Sequence, residues 1–398
     1  MMTDTPWQPR FLYAVCQRGA EATLKRELAN QQTGMQPAFS RPGFVTFKLA
    51  EPCLEPEKFS LTSTFARSWG FSLGNVSGTH LLPLAKEVWQ LPEVTQLLAA
   101  PQLVTVPLKT IHVWQRDLAI PGRRGFEPGI TPLAEEIHRT LSQVSPIESL
   151  RHEINHLQQP AARNRWVLDV VLVEPGTWWI GCHLATHRLA RYPGGVLPVT
   201  MPPQAVSRAY LKLTEALRWS SLPVARGDRC VDLGCSPGGC SQALLDRGLH
   251  VIGVDPAEVD PIVSEHLQFI HLRKRSTHLA GRQLKRCQWL IADINATPNY
   301  TLDAVEAIVT HSQVSIRGML LTLKLSDWHL ADSLPQYIER VRSWGYQDIR
   351  VRQLAHNGQE LCLAALRSRK QRRLRRSGRR QVRQNSARAS VHGPHEME

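Results

Sequence analysis

The sequence predicts an α/β protein. An open, doubly wound sheet of six parallel strands and one antiparallel strand fills the second half of the chain, behind smaller α+β units. Three observations carry this expectation. Short apolar runs alternate with helical stretches from Ser207 to Leu366, the pattern of a parallel sheet covered by helices on both faces. One of those runs, Val231-Asp232-Leu233, breaks into the turn Gly234-Cys235-Ser236-Pro237-Gly238-Gly239. The next, Val251-Ile252-Gly253-Val254, ends in Asp255. A glycine turn after one strand and an acid after the next suits an adenosine-containing ligand at the carboxyl ends of parallel strands.

In chain order, Phe11–Val15 reads as a strand, Ala20–Leu28 as a helix with Ala20, Leu24 and Leu28 on one face, and Gly43–Phe47 as an alternating strand. This β-α-β start suits a small ferredoxin-like domain over residues 1–90. A second α+β unit, residues 100–187, runs from Val104-Thr105-Val106-Pro107-Leu108 through a helix at Thr131–Leu141 to strands at Trp166–Val173 and Trp178–Leu184. The Trp178-Trp179 pair either stacks on bases or pairs across the core. Gly and Pro mark residues 188–203 as a linker. The third domain, residues 204–367, has strands expected at 229–234, 250–254, 267–272, 288–293, 318–324, 347–353 and 360–366. The last two are joined by too short a connection for a parallel crossover and must be antiparallel.

The glycine spacing is not that of a dinucleotide loop, which needs G-x-G-x-x-G on a helix N-terminus. Four ionisable residues stand around the same sheet. Lys212 lies on the helix before the first strand, Asp293 ends Trp289-Leu290-Ile291-Ala292-Asp293, Lys324 ends Met319–Lys324, and Glu360 begins Glu360–Ala365. Charges at strand ends project into the crevice where open α/β sheets bind ligands.

The D-x-G-x-x-P-G-G form resembles the first motif of FtsJ-type methyltransferases, and Lys212, Asp293, Lys324 and Glu360 resemble the Lys-Asp-Lys-Glu tetrad of the family's RNA ribose 2′-O-methyltransferases. The resemblance implies a Rossmann-like class I methyltransferase domain with S-adenosyl-L-methionine as cofactor. It implies cofactor contacts at Ser207, Gly234, Ser236, Pro237, Gly238, Gly239, Asp255 and Asp293. It also implies catalysis by Lys324 as general base, arranged by Lys212, Asp293 and Glu360. Shorter stretches, Gly19-Ala20-Glu21, Arg41–Val45, Phe65-Ala66-Arg67, Val173–Gly176 and Leu354–Glu360, are similar to the branch of the family that methylates a cytidine of bacterial 23S rRNA. That branch implies a diverged, RNA-binding THUMP-like domain over residues 100–187. Two positions depart from the pattern: Cys240 stands where the family has tryptophan, and Arg275 where it has an acid near the adenine. The second change removes an expected acceptor for the adenine amino group.

The implied chemistry explains the residue types. A ribose hydroxyl is a poor nucleophile, so methyl transfer needs in-line positioning and a group that takes the proton. An unperturbed lysine titrates at roughly 10.4. A second cation and burial favour the neutral amine, and neighbouring carboxylates oppose it.

A chain of 398 residues with 42% hydrophobic content supports two or three packed domains. No apolar run has bilayer-spanning length, and the first residues lack a signal-peptide pattern. The eight cysteines include no C-x-x-C pair and no metal-ligand spacing, so buried thiols in a reducing cytoplasm, and no metal, are expected. Of the net charge of +14, most sits in residues 368–398 and just before them: eleven Lys or Arg and no acid lie between Arg367 and Arg388. Such a tail suits phosphate contact but does not by itself separate RNA from other polyanions. RNA, and 23S rRNA before or during large-subunit assembly, is the partner that the resemblance implies. Two further readings stay open: an RNA-binding assembly factor with a degenerate methyltransferase domain, and a tRNA methyltransferase. Oligomeric state is not legible.

Overall fold

The computed structural model describes residues 7–368 apart from 32–33, 102, 104–105, 152–157 and 280. The basic tail beyond Ser368, and the Val104-Thr105 start of the expected second unit, lie outside the described residues. The chain forms two compact units. One is Met1–Thr200 with Ser326–Ala331 and Arg352–Leu361, and the other is Met201–Leu325 with Asp332–Val351 and Cys362–Glu398.

The first unit is built on β1 (Phe11–Val15), β2 (Met35–Arg41), β3 (Phe44–Leu49), β4 (Ser68–Ser77), β5 (Thr110–Gln115), β6 (Trp166–Glu174) and β7 (Thr177–Leu184). These strands form one sheet in the order β2-β3-β1-β4-β7-β6-β5. All neighbours are antiparallel except β5 and β6. The stretches read from sequence as two domains, 1–90 and 100–187, therefore share a sheet, joined where β4 pairs with β7. Local periodicity cannot see a pairing between strands that far apart.

Close packing explains the glycines at that join. A Cβ on Gly70 or Gly181 would lie 2.8 or 2.4 Å from a ring carbon of Tyr13. Strand β6 is buried from Trp166 to Val173, as expected of an apolar run covered on both faces, with Asp169 the one charged residue of that stretch. Helices α1 (Glu21–Gln31), α2 (Leu81–Gln90), α3 (Pro92–Ala99) and α4 (Pro132–Gln143) belong to this unit. Leu24 and Leu28 of α1 are buried as their spacing predicts. Thr131 caps α4 through its hydroxyl, which accepts from the Ala134 amide at 3.2 Å, and proline follows at the first helical position.

Two expectations for this unit are refined. The Gly- and Pro-rich stretch 188–203 begins as a fitted strap: Gly194 and Gly195 are buried at φ 58° and 71°, and a Cβ on Gly194 would lie 2.7 Å from the Trp114 ring. The Trp178-Trp179 pair is engaged within the protein. Trp178 is 2% exposed, while Trp179 stacks on Phe39 at 5.0 Å between centroids and donates to Ser72 Oγ at 2.8 Å.

The second unit holds β8 (Arg229–Leu233), β9 (His250–Val254), β10 (Phe269–Leu272), β11 (Trp289–Ala292), β12 (Gly318–Lys324), β13 (Asp348–Arg352) and β14 (Glu360–Leu366). Each matches its expected range to within two residues. The order is β10-β9-β8-β11-β12-β14-β13, with parallel pairing from β10 through β12. Helices α5 (Ala209–Ser220), α6 (Gly239–Leu245), α7 (Pro298–Val309) and α8 (Leu334–Ser343) complete it. The chain runs outward from β8 through β9 to β10 and then returns to β11 on the other side. That reversal opens a crevice beyond the carboxyl ends of β8 and β11, where ligands of such sheets bind. Arg367, the first arginine of the basic run, belongs to the fold: its Nε donates to the Ile316 carbonyl at 2.8 Å and its guanidinium lies 5.0 Å from the Tyr346 ring centre. All eight cysteines are free thiols, and among the described residues no helix is long and apolar enough to cross a membrane.

Candidate functional site

Chemistry-bearing side chains gather at the carboxyl ends of β8, β9, β11 and β12. The loop after β8 is shaped by close approaches that exclude side chains. Gly234 has φ 75°, its amide donates to the Val254 carbonyl at 2.9 Å, and a Cβ there would sit 3.0 Å from the Asp293 carbonyl oxygen. Gly238 has φ 129° and faces Val259 and Val263. Gly239 opens α6, where a Cβ would lie 2.2 Å from Ser207 Oγ. Packing inside the protein thus already demands the glycines that the sequence reading assigned to ligand approach.

The rest of the loop is tied to the segment after β9. Ser236 Oγ donates to the Glu258 carbonyl at 2.7 Å, and the Pro237 carbonyl accepts from the Asp260 amide at 2.9 Å. Asp255 accepts from the Ser236 amide at 3.3 Å on one oxygen and from the Ala257 amide at 2.8 Å on the other. A carboxylate oxygen has two lone pairs, so each retains one for a further donor. A half-buried carboxylate at a strand end, beside a concave backbone loop, fits a ligand carrying a vicinal diol and an adjacent chain.

Deeper in the same crevice, Asp293 follows β11 and bridges two lysines. Lys212 Nζ, on α5, lies 2.7 Å from one oxygen, and Lys324 Nζ, at the end of β12, lies 2.8 Å from the other. The three side chains are 13%, 11% and 23% exposed in the order Lys212, Asp293, Lys324. Burial pushes the Asp293 carboxyl up, but the two ammonium groups outweigh it and hold it at about 2. The carboxylate is thereby fixed in its charged form and holds both lysines close together.

Glu360 opens β14 and is 5% exposed, accepting from Asn357 Nδ2 at 3.2 Å and from the Gly358 amide at 3.3 Å. Its segment, Arg352–Leu361, groups with the first unit. Within the second unit, Lys212 and Lys324 meet at the Asp293 carboxylate.

Sequence reasoning missed Asp232. It is fully buried in β8, accepts from Ser241 Oγ at 2.7 Å on one oxygen, and among the described residues has no hydrogen-bond partner on the other. Burial pushes it up to about 7, against the Ser241 hydrogen bond and helped by the charges of Asp293 and Asp255. Its place in the D-x-G motif was the available signal, but alternation alone reads it as a strand residue.

The two departures also have settings. Cys240 is 5% exposed, with its thiol 3.6 Å from the Ala209 carbonyl at the start of α5. Arg275 is exposed at the head of a 3₁₀ turn. The ring beside Asp255 belongs to His271, whose Nε2 lies 3.1 Å from the Asp255 carbonyl.

Residues 205–341 match the family model for FtsJ-like methyltransferases. Among curated relatives, a protein of Azoarcus sp. (strain BH72) named ribosomal RNA large subunit methyltransferase M is 27% identical over 205 residues, which is 49% of this chain and 55% of that protein. A protein of the same name from Alkalilimnicola ehrlichii is 34% identical over 130 residues, or 31% of this chain and 34% of its own. The chain spans about half the length of the curated relatives it matches.

Proposed function

We propose that this chain transfers a methyl group from S-adenosyl-L-methionine to a ribose 2′-oxygen of RNA, a cytidine of 23S rRNA being the substrate. The observation that carries this reading is the Lys212–Asp293–Lys324 bridge at the ends of β11 and β12, inside the segment that matches FtsJ-like methyltransferases. The names of the curated relatives, which specify large-subunit rRNA, supply the substrate class. The cofactor provides an electrophilic methyl group on a sulfonium.

The chain's own groups do the rest. Asp255 takes the ribose hydroxyls of the cofactor, and Ser207 with the loop Gly234, Ser236, Pro237, Gly238 and Gly239 holds its amino-acid end. Lys324, after giving up its own proton to water, accepts the proton of the attacking 2′-hydroxyl. Asp293 fixes the Lys324 amine at 2.8 Å and holds Lys212 across from it, so that the two nitrogens are set before the substrate arrives. Glu360 completes the arrangement by resemblance. On the same reading, β14 runs antiparallel to its neighbours, residues 1–187 form the RNA-binding ferredoxin-like and THUMP-like part, and the protein works in the cytoplasm.

Mass-spectrometric mapping of ribose methylation in rRNA, with and without the protein, tests the activity. Lys324→Ala should lower turnover by roughly 10²- to 10⁴-fold while cofactor and RNA affinities hold. Lys324→Arg should fail too, because a guanidinium keeps its proton. Full activity in Lys324→Arg, or methyl on a base atom, would refute the mechanism. RNA binding without any cofactor binding would point instead to an assembly factor with a degenerate domain.

A further inference from the structure

The first unit holds a buried group of metal-ligating side chains, far along the sequence from the residues of the crevice. His112 on β5, Asp169 on β6 and His183 on β7 stand on three adjacent strands. The register sets His112 opposite Asp169, and Asp169 opposite Gly181, two residues from His183. Side chains two apart on a strand share a face, so all three side chains meet. One nitrogen or oxygen from each lies within 4.8 Å of the others. His112 and Asp169 are 0% exposed, and His183 is 4% exposed.

The hydrogen bonding is lopsided. Among the described residues, neither ring nitrogen of His112 has a hydrogen-bond partner, and neither does Asp169 Oδ1. The backbone at Gln159 is close enough to influence the His112 ring but does not reach hydrogen-bond geometry. Three buried polar atoms without a hydrogen bond among the described residues are costly.

The remaining atoms are organised as metal sites organise their surroundings. His183 Nε2 lies 2.6 Å from the Ala190 carbonyl. A carbonyl can only accept, so this nitrogen carries the proton and Nδ1 is the one turned towards Asp169, at 2.5 Å from Oδ2. The Tyr13 hydroxyl donates to the same Oδ2 at 2.5 Å. A ligating histidine held by a carbonyl and a ligating carboxylate held by a hydroxyl are the usual outer supports of a metal ion.

We propose that His112, Asp169 and His183 form a structural site for a divalent transition-metal ion, zinc by its ligand chemistry. Two imidazole nitrogens and one carboxylate oxygen suit zinc and disfavour magnesium and calcium, which demand oxygen ligands. The ion takes a His112 nitrogen, His183 Nδ1 and Asp169 Oδ1, leaving Oδ2 to Tyr13. His183 Nδ1 and Asp169 move apart to admit it, and any proton on Nδ1 is released. The fourth position falls to an enclosed water. The site would pin β5, β6 and β7 together with β1.

The test uses the full chain, expressed with zinc, dialysed and assayed by elemental analysis, and in parallel exchanged with cobalt(II). The site predicts about one metal ion per chain and a cobalt ligand-field band in the visible region. Both should vanish in His112→Leu, together with a lower melting temperature than the zinc-loaded wild type. Without a metal, His112→Leu removes two orphaned nitrogens and raises the melting temperature. That result, or wild-type protein with neither stoichiometric zinc nor a cobalt band, overturns the proposal. If His112→Leu does not fold, the wild-type metal content and cobalt spectrum decide alone.

Discussion

At the scale of residues, Asp232 and Asp293 show one crevice treating two carboxyls in opposite ways. Asp293 is held at about 2 by two lysines, whereas Asp232, hydrogen-bonded by Ser241, is pushed up to about 7 by burial. A carboxyl raised on folding contributes stability that is complete below its unfolded value of about 3.9 and is lost as pH rises through the folded value. The Asp232 contribution should therefore fall away between about pH 4 and pH 7. Asp232→Asn keeps an oxygen for Ser241 but cannot ionise, so its urea midpoint should change less than the wild type's between pH 5 and pH 8. Identical pH dependences in the two proteins would rule this out. Asp293 is depressed to about 2, so its contribution is complete above the unfolded value of about 3.9, is lost as pH falls from there through about 2, and leaves the window from pH 5 to pH 8 clear. Lys212, Asp293 and Lys324 were legible because each stands at an end of an element whose pattern is strong. Asp232, His112, Asp169 and His183 were not, because their meaning comes from burial and from register between strands.

At the scale of elements, the packing of α6 against the residues before α5 sets the loop. Gly239→Ala places a methyl group 2.2 Å from Ser207 Oγ and 3.0 Å from the Ser207 carbonyl oxygen. Alanine is the better helix former by about 1 kcal/mol, yet the overlap should win, with a net loss of about 1 to 3 kcal/mol. Cofactor affinity should weaken with it. Adding Ser207→Ala removes the closer overlap and should restore part of the stability, a non-additivity that a double-mutant cycle measures. Equal losses in the single and double variants would show that the hydroxyl is not what the methyl meets. The parallel strands of the second unit were legible because buried parallel strands read as largely apolar runs, while β13, Asp-Ile-Arg-Val-Arg, reads by alternation. Strand β2, Met-Gln-Pro-Ala-Phe-Ser-Arg, carries a proline and few apolar residues, and β4 carries Gly70 and Gly74. Both depress the local signal, and only pairing with β3, β1 and β7 makes them strands.

At the scale of the whole molecule, the basic tail and the folded part are expected to do separable work. Since Arg367 is bonded into the second unit, the informative truncation falls after Ser368. It should flatten the salt dependence of RNA binding by about 0.7 in log–log slope for each phosphate that the shortened chain no longer neutralises, and leave cofactor affinity intact. An unchanged slope would assign the tail another role. The sheet of the first unit carries a different consequence. Strand β4 meets β7 only through pairs such as Ser77 with Thr177, whose hydroxyls are 100 positions apart and 3.3 Å from each other. During synthesis at roughly 5 to 20 residues per second, the free edge of β4 must wait about 5 to 20 seconds for its partner to emerge. For that interval the nascent chain presents an unpaired strand containing Phe71 and Val76 to its surroundings.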